Sequence, residues 1–177
     1  MTNDSNDRPM QRNYARLELE RRFLLTVLPP GVDPDDFVRL HDLFAAGTGL
    51  RIRRVEDAAG RDLVVKIGQK LPDPEAPEAP GHNLLTTIYL SPTEAAPLLG
   101  LPGPTSCKRR YSLQHQDHTW AIDVWEAPHA CAGLIMAEVE CATAAELAAI
   151  TPPAWVGEEV TNERSYSAFA LTTTGKP

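Results

Sequence analysis

From Ala15 onward the chain alternates apolar and polar residues in short runs separated by turn formers, and this period of two reads as β-strand. The candidate strands are Ala15–Leu25, Leu40–Ala45, Gly49–Glu56, Asp62–Ile67, Asn83–Leu90, Thr105–Leu113, His118–Trp125 and Gly133–Cys141. Asp57–Gly60 reads as a tight hairpin turn, with Gly60 able to take positive φ, and Gln114–Asp117 as another. Short helices are predicted after Asp33-Pro-Asp-Asp36, Ser91-Pro-Thr-Glu94 and Thr143-Ala-Ala-Glu146, where a capping side chain precedes proline or an acid. Leu71–Pro80, rich in proline and acids, reads as an exposed loop. Prolines fall almost wholly outside the strands, as an antiparallel sheet requires. With no βαβ alternation, the expected class is α+β, mainly antiparallel: an eight-stranded closed barrel with short helices packed outside.

The phase of the charges is the informative feature. Glu18, Glu20 and Arg22 share one strand face while Leu17 and Leu19 share the other. Arg51 and Arg53 lie opposite Leu50 and Ile52, Lys108 pairs with Arg110, and Glu138 with Glu140 around Val139. Lys66 follows Val64 and Val65, and Asp123 sits between Ile122 and Val124. An amphipathic sheet with a solvated outer face would account for any one strand. Across the set, like charges recur on one face, whereas a merely soluble surface intersperses both signs. If the charged faces pointed outward, helices on the outside would find no apolar surface to cover. The expectation is a wet interior with a basic wall and an acidic wall, suited to a polyanion with divalent cations. The opposite phase, with Leu17, Leu19, Ile52 and Val139 inward, would make a barrel for an apolar ligand.

Composition narrows the classes. The length of 177 residues favours a single domain, assigned to 15–177, behind a polar and flexible leader over 1–14. The net charge of −7 disfavours a duplex nucleic-acid partner. No apolar run approaches a membrane span and no signal peptide opens the chain, so a cytoplasmic protein with no membrane partner is expected. Cys107, Cys131 and Cys141 lack metal spacing and read as free thiols. His41, His82, His115, His118 and His129 form no ligand pair, and neither a GxSxG nor a P-loop is present. Any phosphate contact must therefore come from side chains. Trp120, Trp125 and Trp155 read as packing residues, with a base stack on Trp125 at a tunnel mouth as the alternative.

In order along the chain, Glu18-Leu-Glu-Arg-Arg22, Leu50-Arg-Ile-Arg-Arg54, Val65-Lys66, Cys107-Lys-Arg-Arg-Tyr111, Trp120-Ala-Ile-Asp-Val-Trp125, Gly133–Glu140 and Glu159–Ser167 resemble the motifs of the CYTH domain. That domain is the fold of the triphosphate tunnel metalloenzymes, and the resemblance spans about residues 15–170. It implies a tunnel enzyme that hydrolyses a triphosphate (tripolyphosphate, ATP or thiamine triphosphate) with Mg²⁺ or Mn²⁺, as a monomer or homodimer. Alternatives on the same scaffold are a class IV-type adenylate cyclase and a non-catalytic polyphosphate- or nucleotide-binding module. By motif, Glu18, Glu20, Glu138 and Glu140 would be metal-site acids, joined by Asp123. Arg22, Arg51, Arg53, Lys66, Lys108, Arg110 and Arg164 would bind the phosphates. The catalytic set implied is Glu18, Glu20, Arg53, Lys66, Glu138 and Glu140, with Glu138→Gln and Arg53→Ala expected to abolish activity while leaving the fold intact. The sequence departs from the family at Leu84–Leu90, where the usual alternating acids are absent and Thr87 and Tyr89 can hydrogen-bond but are poor divalent-cation ligands.

Overall fold

The computed structural model describes residues 14–79 and 81–177; all of the expected leader except Tyr14 lies outside the described residues. Eight strands form the sheet: β1 (Arg16–Leu25), β2 (Val38–Phe44), β3 (Leu50–Asp57), β4 (Asp62–Pro72), β5 (His82–Leu90), β6 (Thr105–His115), β7 (His118–Ala127) and β8 (Ile135–Cys141). They close into an antiparallel barrel in the order β1-β5-β4-β3-β2-β6-β7-β8. Closure leaves no free edge, so every strand has a ladder partner on both sides.

The two faces of the barrel divide as the charge phase predicts. Leu19, Phe23, Tyr111, Trp120, Ile122 and Val139 point outward into the main apolar core. The helix α2 (Ala144–Ala149) covers this core with Leu147, and the segment after it adds Ile150 and Trp155. Trp120 stacks edge-on against Trp155 with ring centroids 5.2 Å apart. On the other side, Leu43, Ala45 and Ile52 form a second outer cluster beneath Leu98 of α1 (Pro92–Leu99). Ile52 and Val139 are thus outer-face residues, which rules out the apolar-ligand barrel.

Helices α1 and α2 each start in a capping box, Ser91 with Glu94 and Thr143 with Glu146, as read from the sequence. The Asp33 site differs. Asp33 Oδ1 accepts from the Asp35 N–H and the Asp33 carbonyl from the Asp36 N–H, but only a turn results. The chain enters β2 almost at once at Val38, which leaves no room for a helical stripe. β4 also exceeds its expected span and runs five residues past Ile67, through Gly68 and Lys70.

One end of the barrel is plugged. A third helix, α3 (Ala168–Thr174), is capped by Ser167 and folds back over the strand ends. Trp125, Met136, Val160 and Leu171 pack there with Leu24 and Cys131. Trp125 shares the inner face with Asp123, two residues before it, but it is 2% exposed under this plug and not at a mouth. Among the described residues no helix is long and apolar enough to cross a membrane.

Candidate functional site

The inner face carries the charges. On β3 and β4, Arg53 stands opposite Lys66 in register, and Arg51 opposite Gly68. On β6 and β7, Arg110 stands opposite Asp123; on β1 and β8, Glu20 is opposite Glu140 and Arg22 opposite Glu138. Basic groups line β3, β4 and β6 and carboxylates line β1 and β8, so the tunnel has walls of opposite sign.

Two buried carboxylates organise the basic wall. Asp42 accepts from Arg53 Nε at 2.6 Å and Nη2 at 2.7 Å, a bidentate fork in the interior. Burial alone would push the Asp42 carboxyl up, but the Arg53 charge and hydrogen bonds hold it well below the usual carboxylate range. Asp123, 1% exposed, accepts from Arg110 Nε at 2.6 Å and Nη2 at 2.7 Å and also from Lys108 Nζ. Burial opposes its charge, and Arg110 and Lys108 outweigh that cost. Arg110 Nη2 also donates to Glu138 Oε2 at 2.6 Å. Burial again works against the carboxylate, and Arg110 with Lys108 keeps Glu138 low.

Other cations on this wall are left without a carboxylate of their own. Arg51 lies 3.9 Å from Asp42, whose oxygens are already committed to Arg53. Lys66 makes no ion pair among the described residues; its ammonium lies over the Tyr89 ring, 6.0 Å from the centroid. Burial and then Arg53, Arg51 and Arg110 depress the Lys66 pKa. Burial and Arg53 do the same to Arg51. Burial and neighbouring like charges both disfavour the charged forms here, and a bound anion would relieve both.

The acidic wall has the converse character. Glu18, Glu20 and Glu140 place one carboxylate oxygen each within 4.8 Å of one another. Burial and the nearby Glu138 raise the Glu20 pKa, against the pull of Lys70; burial and Glu18 raise that of Glu140. Glu18 Oε2 is buried, with the Lys70 ammonium 2.5 Å away. Oxygen ligands of a small divalent cation, at about 2.0–2.1 Å from it, stand only about 3–4 Å apart, so this trio needs little movement to fit Mg²⁺ or Mn²⁺. Gly81 brings β1 into place: it has φ +70° and its carbonyl accepts from the Glu20 N–H, where any Cβ would come within 1.9 Å of the Glu20 carbonyl oxygen. Beyond the acids the tunnel opens into a cavity of about 380 Å³ lined by Arg110, Ser112, Asp117, Thr119, Glu138 and Glu140.

The remaining sequence-predicted residues fall elsewhere. Arg22 is inside the barrel, but its guanidinium donates to the carbonyls of Tyr166 and Thr161 and so pins the plug. Arg164 is exposed on the short turn of helix Arg164–Tyr166 and joins none of these ion pairs. Asp123 and Glu138 stand outside the trio of Glu18, Glu20 and Glu140. The β5 wall is neutral, with Leu85 facing Lys70, Thr87 facing Gly68 and Tyr89 facing Lys66. Two charged groups of the tunnel were not legible in advance, Asp42 and Lys70. The signal for Lys70 is its spacing of four from Lys66, which keeps both on one face once the strand is extended through Gly68.

No protein-family model matches the chain, and no curated protein does. The fold does match solved structures. A crystal structure of NE1496, described as an inorganic triphosphatase, is 22% identical with a TM-score of 0.58, covering 90% of this chain and 97% of that one. A second structure of NE1496, described as a hypothetical protein, is 23% identical with a TM-score of 0.55, over 88% and 97% of the two chains. A proposed adenylate cyclase from Bacillus halodurans is 15% identical with a TM-score of 0.50, over 76% and 86%. At these identities the likeness is one of architecture. The eight-stranded closed tunnel, with its helices outside, has the fold of the CYTH, or triphosphate tunnel, proteins.

Proposed function

We propose that the tunnel binds a small triphosphate and hydrolyses one of its phosphoanhydride bonds with Mg²⁺ or Mn²⁺. The observation that carries this reading is geometric: Arg51 and Lys66 line the tunnel without a carboxylate of their own, while Glu18, Glu20 and Glu140 cluster on its acidic wall. A linear chain of phosphates is the ligand class that answers both walls at once. The description of NE1496 as an inorganic triphosphatase on the same fold supports it.

Arg51 and Lys66 would take the phosphate oxygens directly, because among the described residues Lys66 pairs with no carboxylate and Arg51 has only the Asp42 oxygens that Arg53 already holds. Arg53, Lys108 and Arg110 are held in place by Asp42, Asp123 and Glu138, so their charges are fixed before the ligand arrives. Fixed donors of this kind stabilise the charge that builds on the transferred group and on the leaving pyrophosphate without paying for reorganisation. The plug at one end keeps bulk water away from that side of the ligand. Glu18, Glu20 and Glu140 would hold the cation, joined by Glu138 if Arg110 turns toward phosphate. When bound, such a cation neutralises phosphate oxygens and activates water for attack.

The neutral β5 wall favours a second reading, a module that binds triphosphate without turnover, since Leu85, Thr87 and Tyr89 add no metal ligand. The test is phosphate release from tripolyphosphate, ATP and thiamine triphosphate, with Mg²⁺, with Mn²⁺ and with EDTA, scoring cyclic AMP from ATP in parallel. Metal-dependent release from at least one substrate is expected. No release from any, with thermal stabilisation by tripolyphosphate, would replace hydrolysis by binding alone. Cyclic AMP without free phosphate would replace it by cyclisation.

A further inference from the structure

The Lys70 ammonium lies 2.5 Å from Glu18 Oε2 and 2.7 Å from Glu20 Oε1. Both oxygens belong to the trio of Glu18, Glu20 and Glu140. A divalent cation at about 2.0–2.1 Å from the same oxygens would claim the volume that Nζ fills. The two cations also repel, so occupation by one excludes the other. The ammonium donates a hydrogen bond to Glu20 and makes a close ion pair with Glu18 Oε2. The side chain keeps about a third of its surface in solvent, at 36%, which gives it a way out of the cluster. Its cross-strand neighbour on β5 is Leu85, which offers it nothing to bind inside the tunnel.

We propose that Lys70 is a resident counter-ion of the acidic wall: it balances Glu18 and Glu20 in the metal-free tunnel and must swing out before a divalent cation can bind, so it sets metal affinity. This inference rests on the metal-site reading above and adds a competitor to it. Lys70 acts through Glu18 and Glu20 and is thus a positioning residue.

The experiment is Mn²⁺ binding by the full chain at pH 8, followed through the electron-paramagnetic-resonance signal of free Mn²⁺, with melting curves with and without the metal. Wild type is compared with Lys70→Met, Lys70→Gln and Lys70→Arg. The neutral variants are expected to bind Mn²⁺ at least tenfold more tightly than wild type, and Lys70→Arg no more tightly. Without metal the neutral variants melt lower than wild type, and Mn²⁺ raises their Tm by more. Lys70→Gln keeps a hydrogen-bonding group and decides the matter should Lys70→Met fail to fold. If wild type binds Mn²⁺ and the neutral variants bind it equally or more weakly, the role of Lys70 is overturned and the metal site stands. If no protein binds Mn²⁺, the metal site itself is wrong and the counter-ion falls with it.

Discussion

Arg53 grips both oxygens of Asp42, at 2.6 and 2.7 Å, in the interior of the barrel, and each residue is the other's main counter-charge. Breaking a buried pair from one side leaves a lone charge in a poorly solvated place, which costs about 3–5 kcal/mol. Arg53→Ala is therefore expected to lower stability by about that much, seen as a shift in the urea midpoint, besides any loss of activity. The variant is thus expected to be folded but destabilised; Arg53→Lys, which keeps the charge, should recover part of the stability.

The same pair sets a pH dependence. The Asp42 carboxyl is held below its unfolded value, so its stabilising contribution is complete above about pH 4 and is lost as the pH falls through the folded value. The Tm gap between wild type and Asp42→Asn should thus be wide at pH 7 and narrow steadily below about pH 4. A gap of constant width would mean that the carboxylate is not the stabilising form.

Lys66 is expected to behave in the opposite way to Arg53. It has no ion-pair partner among the described residues, and burial and neighbouring arginines work against its charge. Lys66→Met should leave the Tm unchanged or raise it, while tripolyphosphate affinity falls about tenfold or more, the order expected for one charge-assisted contact of about 1.5–3 kcal/mol. Calorimetric titration reads the affinity. Loss of stability with unchanged affinity would assign Lys66 to the scaffold.

The plug gives a prediction away from the chemistry. Leu171 is fully buried against Trp125, Met136 and Val160. Leu171→Ala should cost about 2–5 kcal/mol through the cavity it leaves. Hydrogen exchange should show the loss as faster opening of α3 and of the Thr161 and Tyr166 region that Arg22 pins.

Cys107 shows why the thiols stay outside the chemistry. Burial, and then the hydrogen bond to Glu126 and that residue's charge, push its thiol up to about 12. Only a trace is thiolate at pH 8, so modification by a disulfide reagent should be slow despite partial exposure, and faster in Glu126→Gln.

Much of this architecture is legible in the residues themselves. Glu18 and Glu20, Arg51 and Arg53, and Glu138 and Glu140 alternate with apolar neighbours, and a two-residue period with like charges on one face leaves little choice but a charged interior. Lys70 was missed because Gly68 and the prolines beyond it weaken the strand signal, and only the pairing with β5 carries β4 that far. Asp42 follows His41 in a strand whose other charge, Arg39, lies on the opposite face; no like-charged partner two residues away marks it, and its meaning comes from standing opposite Arg53 across the β2/β3 ladder. α3 has a mixed stripe of Ala and Thr and is stabilised by what it covers, which a local pattern does not record. The acidic Asp33–Asp36 run has the chemistry of a helix start but no helix length behind it, since β2 begins at Val38.

The most direct test of the charged tunnel as a polyanion site is calorimetric titration of tripolyphosphate into the wild-type chain in the presence of Mg²⁺. One bound triphosphate per chain is expected, with affinity that falls as salt rises and weakens in Lys66→Met. Absence of binding, or binding that ignores both salt and Lys66, would contradict it.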